Sequence, residues 1–128
     1  MTPELTSLAW VVALSAVMWV PYVLNVIMVR GLVDAVGYPE NPKPMAAWAG
    51  RMKAAHYNAV ENLVVFATLV LIAHVAGISN PTTVLVCQVY FWARLVHVVA
   101  YTLGIPWVRT LAFVTGWIAC VALLFELL

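Results

Sequence analysis

Four long apolar segments dominate the chain and limit what it can fold into. They cover about residues 5–29, 54–78, 82–103 and 107–128. A helix needs about 20 apolar residues to cross the hydrocarbon core of a bilayer, and each segment is that long. Hydrophobic residues make up 66% of the chain and charged residues only 9%, whereas a soluble domain carries about 25% charged residues. The sequence therefore predicts an all-α integral membrane protein, a single domain (1–128) built as a four-helix bundle.

The distribution of basic residues predicts how this bundle is oriented. Only the first loop is long, and Arg30, Lys43 and Arg51 lie in it or beside it. Positively charged loops stay on the cytoplasmic side of a membrane. We therefore expect the first loop to be cytoplasmic and both termini to lie on the opposite side.

Two classes of function are disfavoured by the composition. The net charge of +1 argues against nucleic acid as a partner, because nucleic acid requires a basic face. Cys87 and Cys120 lie inside apolar segments without CxxC spacing or neighbouring histidines. They are predicted to be buried free thiols, and no metal site is expected.

The start of the second segment, "RMKAAHYNAVEN", carries polar side chains where a membrane helix should be apolar. At 100° per residue, one sector of about 100° holds a set of four of them: Arg51, Asn58, Glu61 and Asn62. Ionisable groups inside a membrane are expensive and usually functional. This face of the second helix is therefore a candidate site.

The third segment carries a similar polar face. Arg94, His97 and Tyr101 follow the spacing i, i+3 and i+7 and lie on one side of a helix. Counted along both helices at about 1.5 Å per residue, Glu61 and Arg94 reach the same depth. We expect them to form an ion pair, since either charge alone in hydrocarbon would cost several kcal/mol. A purely structural role for this pair remains an alternative.

Further hydrogen-bonding groups gather near the same membrane face. They are Arg30, Arg51, Asn58, His97, Tyr101 and Arg109. An excess of arginine over acid in a polar cavity suits an anionic ligand whose carboxylates arginine can bind through two hydrogen bonds. The residues alone thus predict an anionic-ligand site in a four-helix membrane bundle.

The motif R-x4-AHxNxxEN in the second segment, followed by RxxHxxxY in the third, resembles the MAPEG family. These are membrane proteins that handle glutathione, among them microsomal glutathione transferases and prostaglandin E synthase. The resemblance covers nearly the whole chain, which is similar to a prokaryotic-type member. It implies a homotrimer in a bacterial inner membrane, with glutathione as cosubstrate between subunits near the cytoplasmic face. A lipophilic electrophile would enter from the lipid, for conjugation or peroxide reduction.

The resemblance also implies roles for individual residues. The second helix would bind glutathione through Arg51, Asn58 and Glu61, and the third through His97 and Tyr101. Arg94 matches the partner of the acid on the second helix, and Arg30 matches an arginine that reaches the tripeptide. Arg109 resembles the arginine that stabilises the glutathione thiolate, with Tyr101 as a second donor.

Other interpretations remain open on the sequence alone. Eukaryotic members often carry arginines where this chain has Ala54 and Tyr57, which favours a non-catalytic lipid-binding or scaffolding protein of the same fold. Arg109 could instead anchor the fourth helix at the headgroups, and Tyr101 could belong to an interfacial aromatic belt. A small transporter or channel is a weaker alternative, because four short spans with one cavity do not supply two gates.

Overall fold

The computed structural model describes residues 1–128 and is entirely helical. Its helices are α1 (Pro3–Val17), α2 (Trp19–Arg30), α3 (Leu32–Val36), α4 (Ala47–Val75), α5 (Pro81–Leu103) and α6 (Pro106–Leu127). Four stretches are long and apolar enough to cross a membrane: α1 with α2, then α4, α5 and α6. The predicted all-α fold with four spans is confirmed. Helix α4 begins at Ala47, well before the predicted start at residue 54.

The first span is broken into two helices at Met18. Helix α1 ends at Val17 and α2 begins at Trp19. Pro21 lies four residues after Val17, and proline has no N–H to donate to that carbonyl. The missing hydrogen bond explains why the apolar run, continuous in sequence, forms two helices.

Local sequence signals set the ends of the other spans. Proline occupies the first turn of both α5 and α6, where its missing N–H leaves no donor unpaired. Asn80 caps α5 by accepting from the Thr83 backbone N–H at 3.0 Å, and the Thr83 hydroxyl accepts from the Asn80 N–H at 2.9 Å. Gly104 ends α5 in the left-handed conformation, with φ of 76°, which glycine adopts without a steric penalty.

Helix α5 lies at the centre of the bundle, where it contacts α1, α4 and α6. Two apolar clusters fill the interior. The larger includes Phe66 and Tyr90, whose rings stack with centroids 3.9 Å apart. The smaller is formed by Met18, Ala55, Ala59 and Val98.

The two ends of the bundle differ in chemistry. We call the end that carries Arg30, Lys43, Arg51, Lys53 and Arg109 the basic face. We call the end that carries Glu4, Ser79, Asn80 and Glu126 the opposite face. Along α4, Asn62 lies between Ala59 of the smaller apolar cluster and Phe66 of the larger one.

Two hydrogen bonds fold the long first loop back onto α2. The Ala46 N–H, at the start of α4, donates to Asn25 Oδ1 at 2.9 Å. Arg30 Nε donates to the Lys43 carbonyl at 2.6 Å. These contacts determine where α4 begins.

Two glycines allow the packing of Arg51 to be tested. Gly104 and Gly77 both have positive φ, 76° and 71°, so alanine at either adds about 1–2 kcal/mol of backbone strain. A Cβ at Gly104 would also lie 3.4 Å from Arg51 Nε, whereas nothing lies within 4 Å of one at Gly77. Gly104→Ala should therefore lower the thermal unfolding temperature in detergent more than Gly77→Ala does. Equal shifts would mean that Arg51 does not pack against this turn.

Candidate functional site

A polar stripe runs along one side of α5. Tyr90, Arg94, His97 and Tyr101 follow the spacing i, i+4, i+7 and i+11, which keeps them on one helical face. The first three are each 2% exposed, while Tyr101 is half-buried nearer the basic face. Sequence reasoning found the last three members and missed Tyr90. Its spacing of four residues before Arg94 was the signal that could have identified it.

Arg94 is held by an amide rather than by a carboxylate. Its Nη2 donates to Asn58 Oδ1 on α4 at 2.6 Å. The expected ion pair between Arg94 and Glu61 does not form within the chain, and Glu61 is exposed. Asn62 Nδ2 donates to the Asn58 carbonyl at 2.8 Å and so braces the same turn of α4.

The register of the antiparallel helices explains why the predicted pair is wrong for a single chain. Arg51 on α4 contacts Thr102 on α5. Asn58 is therefore level with Arg94, and Glu61 lies about 4.5 Å deeper in the bilayer. Glu61 also lies about 80° around the helix from Arg51, whereas Asn58 lies within about 20°. Both the depth and the direction favour Asn58.

A glycine on α6 faces the buried part of the stripe. Gly116 is buried, and a Cβ there would lie 3.6 Å from the Tyr90 ring and 3.7 Å from Arg94 Cδ. Helix α6 therefore approaches α5 closely at this level. The long side chain of Arg94 is enclosed by this approach and is kept from the lipid.

A cavity of about 330 Å³ opens on the basic-face side of Arg94. Its lining residues come from α4, α5 and α6 and are Asn58, His97, Tyr101, Arg109, Thr110 and Phe113. A neighbouring cavity of about 190 Å³ adds Arg51 and the turn between α5 and α6. Because Tyr101 and Arg109 line both cavities, we treat the two as one candidate site.

Aromatic contacts order the side chains at the mouth of this site. The Arg109 guanidinium carbon lies 4.7 Å from the centroid of the Tyr101 ring, a cation–π distance. The Tyr101 ring packs edge-on against His97 with centroids 5.5 Å apart. The short turn after α5 brings Arg109 to this position, one turn into α6. The arginine thus lies beside the cavity, in contact with the Tyr101 ring.

The predicted site residues separate into two groups. Five of them line the candidate site: Arg51, Asn58, His97, Tyr101 and Arg109. Arg94 joins them through its hydrogen bond to Asn58. Arg30 and Glu61 line neither cavity, since Arg30 donates to the Lys43 carbonyl and Glu61 is exposed. Phe113 and Thr110 line the site, although the sequence alone did not single them out as site residues.

Several buried polar atoms of the α5 stripe have no partner within the chain. They are the Tyr90 hydroxyl, Arg94 Nε and His97 Nδ1. Buried polar groups are nearly always hydrogen-bonded, and exceptions need an explanation. His97 lines the candidate site, whereas Tyr90 and Arg94 line an apolar groove of about 250 Å³ between α4 and α6. Phe113 borders both spaces, so the groove and the site are neighbours.

The contact between Asn58 and Arg94 can be measured by a double-mutant cycle. Asn58→Ala should cost about 1.5–3 kcal/mol of stability, because a hydrogen bond to a buried charge is lost. Asn58→Ala and Arg94→Met together should cost less than the sum of the single changes. The measurement is unfolding in detergent.

The matched control is the same cycle with Glu61→Ala in place of Asn58→Ala. It should show no coupling, since Glu61 does not contact Arg94. Coupling of Arg94 to Glu61 alone would contradict the arrangement described here.

Comparison with known proteins is consistent with this architecture. The model of the MAPEG family matches residues 7–128, essentially the whole chain. No curated protein matches the chain, and no solved structure matches it. Four apolar helices and a family match over nearly the full length agree with the resemblance carried by the two polar motifs. The chain belongs to the MAPEG family.

Proposed function

We propose that the protein is a glutathione-dependent transferase or peroxidase that acts on a lipophilic electrophile within the membrane. The observation that supports this most directly is the meeting of Arg109, Tyr101 and His97 at one cavity near the basic face. MAPEG proteins commonly use glutathione. The positive-inside rule would place this face in the cytoplasm, where a water-soluble cosubstrate could enter from solution.

The side chains at the site suit the chemistry of glutathione. The tripeptide carries two carboxylates, and Arg51 can bind one of them through two parallel hydrogen bonds. Asn58 lines the same cavity and can offer its amide N–H groups, because its Oδ1 already accepts from Arg94. His97 Nδ1 is buried without a partner and is therefore available to a ligand. These residues fit an anionic, tripeptide-sized ligand.

Arg30 and Glu61 fit this proposal only if the protein assembles. Within one chain both lie away from the candidate site. Glu61 is exposed on a membrane helix, and a carboxylate facing lipid is unfavourable. In a homotrimer with glutathione between subunits, either residue could contribute to the site of a neighbouring copy. The assembly would also cover apolar faces of the helices.

Arg109 is proposed to control the reactivity of the thiol. Glutathione supplies a thiol whose thiolate form is the nucleophile and reductant. A guanidinium close to sulfur lowers the thiol pKa by stabilising the thiolate, and arginine does this without losing its own proton. The Tyr101 ring positions Arg109 through their cation–π contact. The Tyr101 hydroxyl can act as a second hydrogen-bond donor to the sulfur. The role of the chain is to bind the tripeptide and stabilise negative charge on sulfur.

The lipophilic substrate is proposed to occupy the apolar groove between α4 and α6. Leu69, Trp117 and Leu124 are among its apolar lining residues. Phe113 borders the groove and the candidate site alike. An electrophile that partitions into the bilayer could thus approach the thiol without passing through water.

One observation favours the alternative of a non-catalytic lipid-binding protein. Arg51 Nε donates to the Thr102 carbonyl at 3.0 Å, so part of its guanidinium is engaged within the chain. Tyr57 and Ala54 are exposed and provide no cation. A protein with this site could bind a lipid in the groove without activating a thiol. Acceleration of glutathione conjugation to a chloronitroarene by the purified protein separates the two functions.

The proposed homotrimer can be tested by native mass spectrometry in mild detergent. Three copies would bury the exposed carboxylate of Glu61 and supply Arg30 to neighbouring sites, so we expect a trimer as the main species. Glu61→Ala should weaken that trimer, whereas Glu40→Ala in the first loop serves as a control. A spectrum of monomers only would contradict the proposal.

The role of Arg109 can be separated from simple anchoring by Arg109→Lys. Lysine keeps the positive charge but loses the planar group. The ultraviolet thiolate absorbance of bound glutathione at neutral pH should fall several-fold, while assembly and glutathione affinity change little. Lys53→Arg, a charge-preserving change on the same face but outside both cavities, should leave the signal intact. An unchanged thiolate signal in the Arg109→Lys variant would leave Arg109 as an anchor.

A further inference from the structure

The opposite face contains a buried carboxylate that has hydrogen-bond partners on only one of its two oxygens. Glu4, in the first turn of α1, is 3% exposed. Its Oε1 accepts from the Ser79 hydroxyl at 2.8 Å and from the Thr83 hydroxyl at 2.5 Å. Its Oε2 is buried and has no partner. A carboxylate has acceptor capacity on both oxygens and cannot donate when ionised, so the second oxygen calls for an external donor.

A cavity adjoins this carboxylate. It measures about 280 Å³ and is lined by Thr2, Glu4 and Ser79 together with the last turn of α4, including His74. The C-terminal end of a helix carries partial negative charge, and α4 ends at Val75 beside the cavity. The carboxylate and the helix end therefore both favour a cation in this space.

No lysine or arginine of the chain lies there. Five of its six basic residues lie at the basic face, and Arg94 lies in the middle of the bundle. The N-terminus of α1 favours an ionised Glu4, and the Leu5 N–H of that turn is bonded to Thr2 Oγ1. Glu126, on the same face, differs from Glu4 in that its Oε2 already has a partner. That oxygen accepts from Asn80 Nδ2 at 2.8 Å.

The size and lining of the cavity select the class of cation. One water occupies about 30 Å³ in the liquid, so the space is far larger than a bare metal ion coordinated by one carboxylate requires. Quaternary ammonium groups are recognised by cages of aromatic rings, and no Trp, Tyr or Phe lines this cavity. A primary ammonium carries three N–H donors, which match Glu4 Oε2 and the neighbouring hydroxyl and imidazole groups.

We propose that this cavity binds the primary ammonium of a phosphatidylethanolamine headgroup. The site lies at the end of the membrane spans, next to Pro3 at the start of the first span and to the end of α4, where a helix that crosses the bilayer reaches the headgroups. The ammonium donates to Glu4 Oε2, while the glycerol and acyl chains extend into the surrounding lipid. This site is separate from the candidate site at the basic face and does not depend on the proposed enzymatic function.

The test is native mass spectrometry of the full-length protein titrated with defined lipids in detergent. Phosphatidylethanolamine should bind at least about tenfold more tightly than phosphatidylcholine of the same acyl composition. Its N-methyl and N,N-dimethyl forms should bind progressively more weakly as donors are removed. This series uses the unmodified protein and needs no variant to fold. Equal binding across the series would overturn the proposal.

Variants then locate the site. Glu4→Gln should abolish the preference for phosphatidylethanolamine, whereas Glu126→Gln, a carboxylate on the same face with a partner of its own, should retain it. Loss of the preference in the Glu126 variant alone would overturn the assignment to Glu4. Soluble ethanolamine should not displace the lipid at millimolar concentration. If free ethanolamine displaced the lipid at that concentration, the proposal that the ammonium comes from a lipid would be overturned.

Discussion

The buried guanidinium of Arg94 is the constraint on which the rest of the bundle depends. A cation in the hydrocarbon core is tolerated only where it faces the interior and finds a partner. Asn58 provides that partner at 2.6 Å, and this contact helps set the register of α4 against α5. Gly116 on α6 faces the same side chain. One charge thus determines how three of the four spans meet.

The same constraint separates the two apolar clusters and creates the site between helices. Polar residues at the level of Arg94 interrupt the core, so the cluster near Met18 and the cluster around Phe66 pack independently. The candidate site lies on the basic-face side of this interruption, where donors outnumber acceptors. The opposite face has the reverse imbalance, with Glu4 and Glu126 and no Lys or Arg. Each end therefore favours ligands of the sign that its own side chains lack.

Most of the fold follows from lengths and periodicity, because a bilayer leaves few choices for an apolar chain. The spacing of polar residues in the third segment correctly predicted that Arg94, His97 and Tyr101 lie on one face of a helix. The partner of Arg94 could not be read in the same way, since Glu61 and Asn58 are only three residues apart on the same helix. A shift of less than one turn in register exchanges them, and depths counted from the ends of the spans do not resolve so small a shift.

Arg30 shows a different limit of sequence reasoning. Its position depends on how the first loop folds back, which is decided by single contacts such as that between Asn25 and the Ala46 N–H. Prolines and polar residues in the loop are compatible with many paths, so periodicity offers no guidance there. Within one chain the guanidinium bonds to the Lys43 carbonyl. Whether a residue beside a span reaches a cavity is thus determined by the loop and not by the helix.

Because the first span breaks at Met18, its two halves contact different helices of the bundle. Helix α1 packs against α4 and α5, whereas α2 contacts α4 but neither α5 nor α6. The half of the bundle toward the opposite face is consequently a closed group of four helices, and the half toward the basic face is a group of three with α2 at its side. Regions with fewer buried contacts open at lower free energy. By this criterion the end that holds the candidate site opens at a lower free energy than the other end.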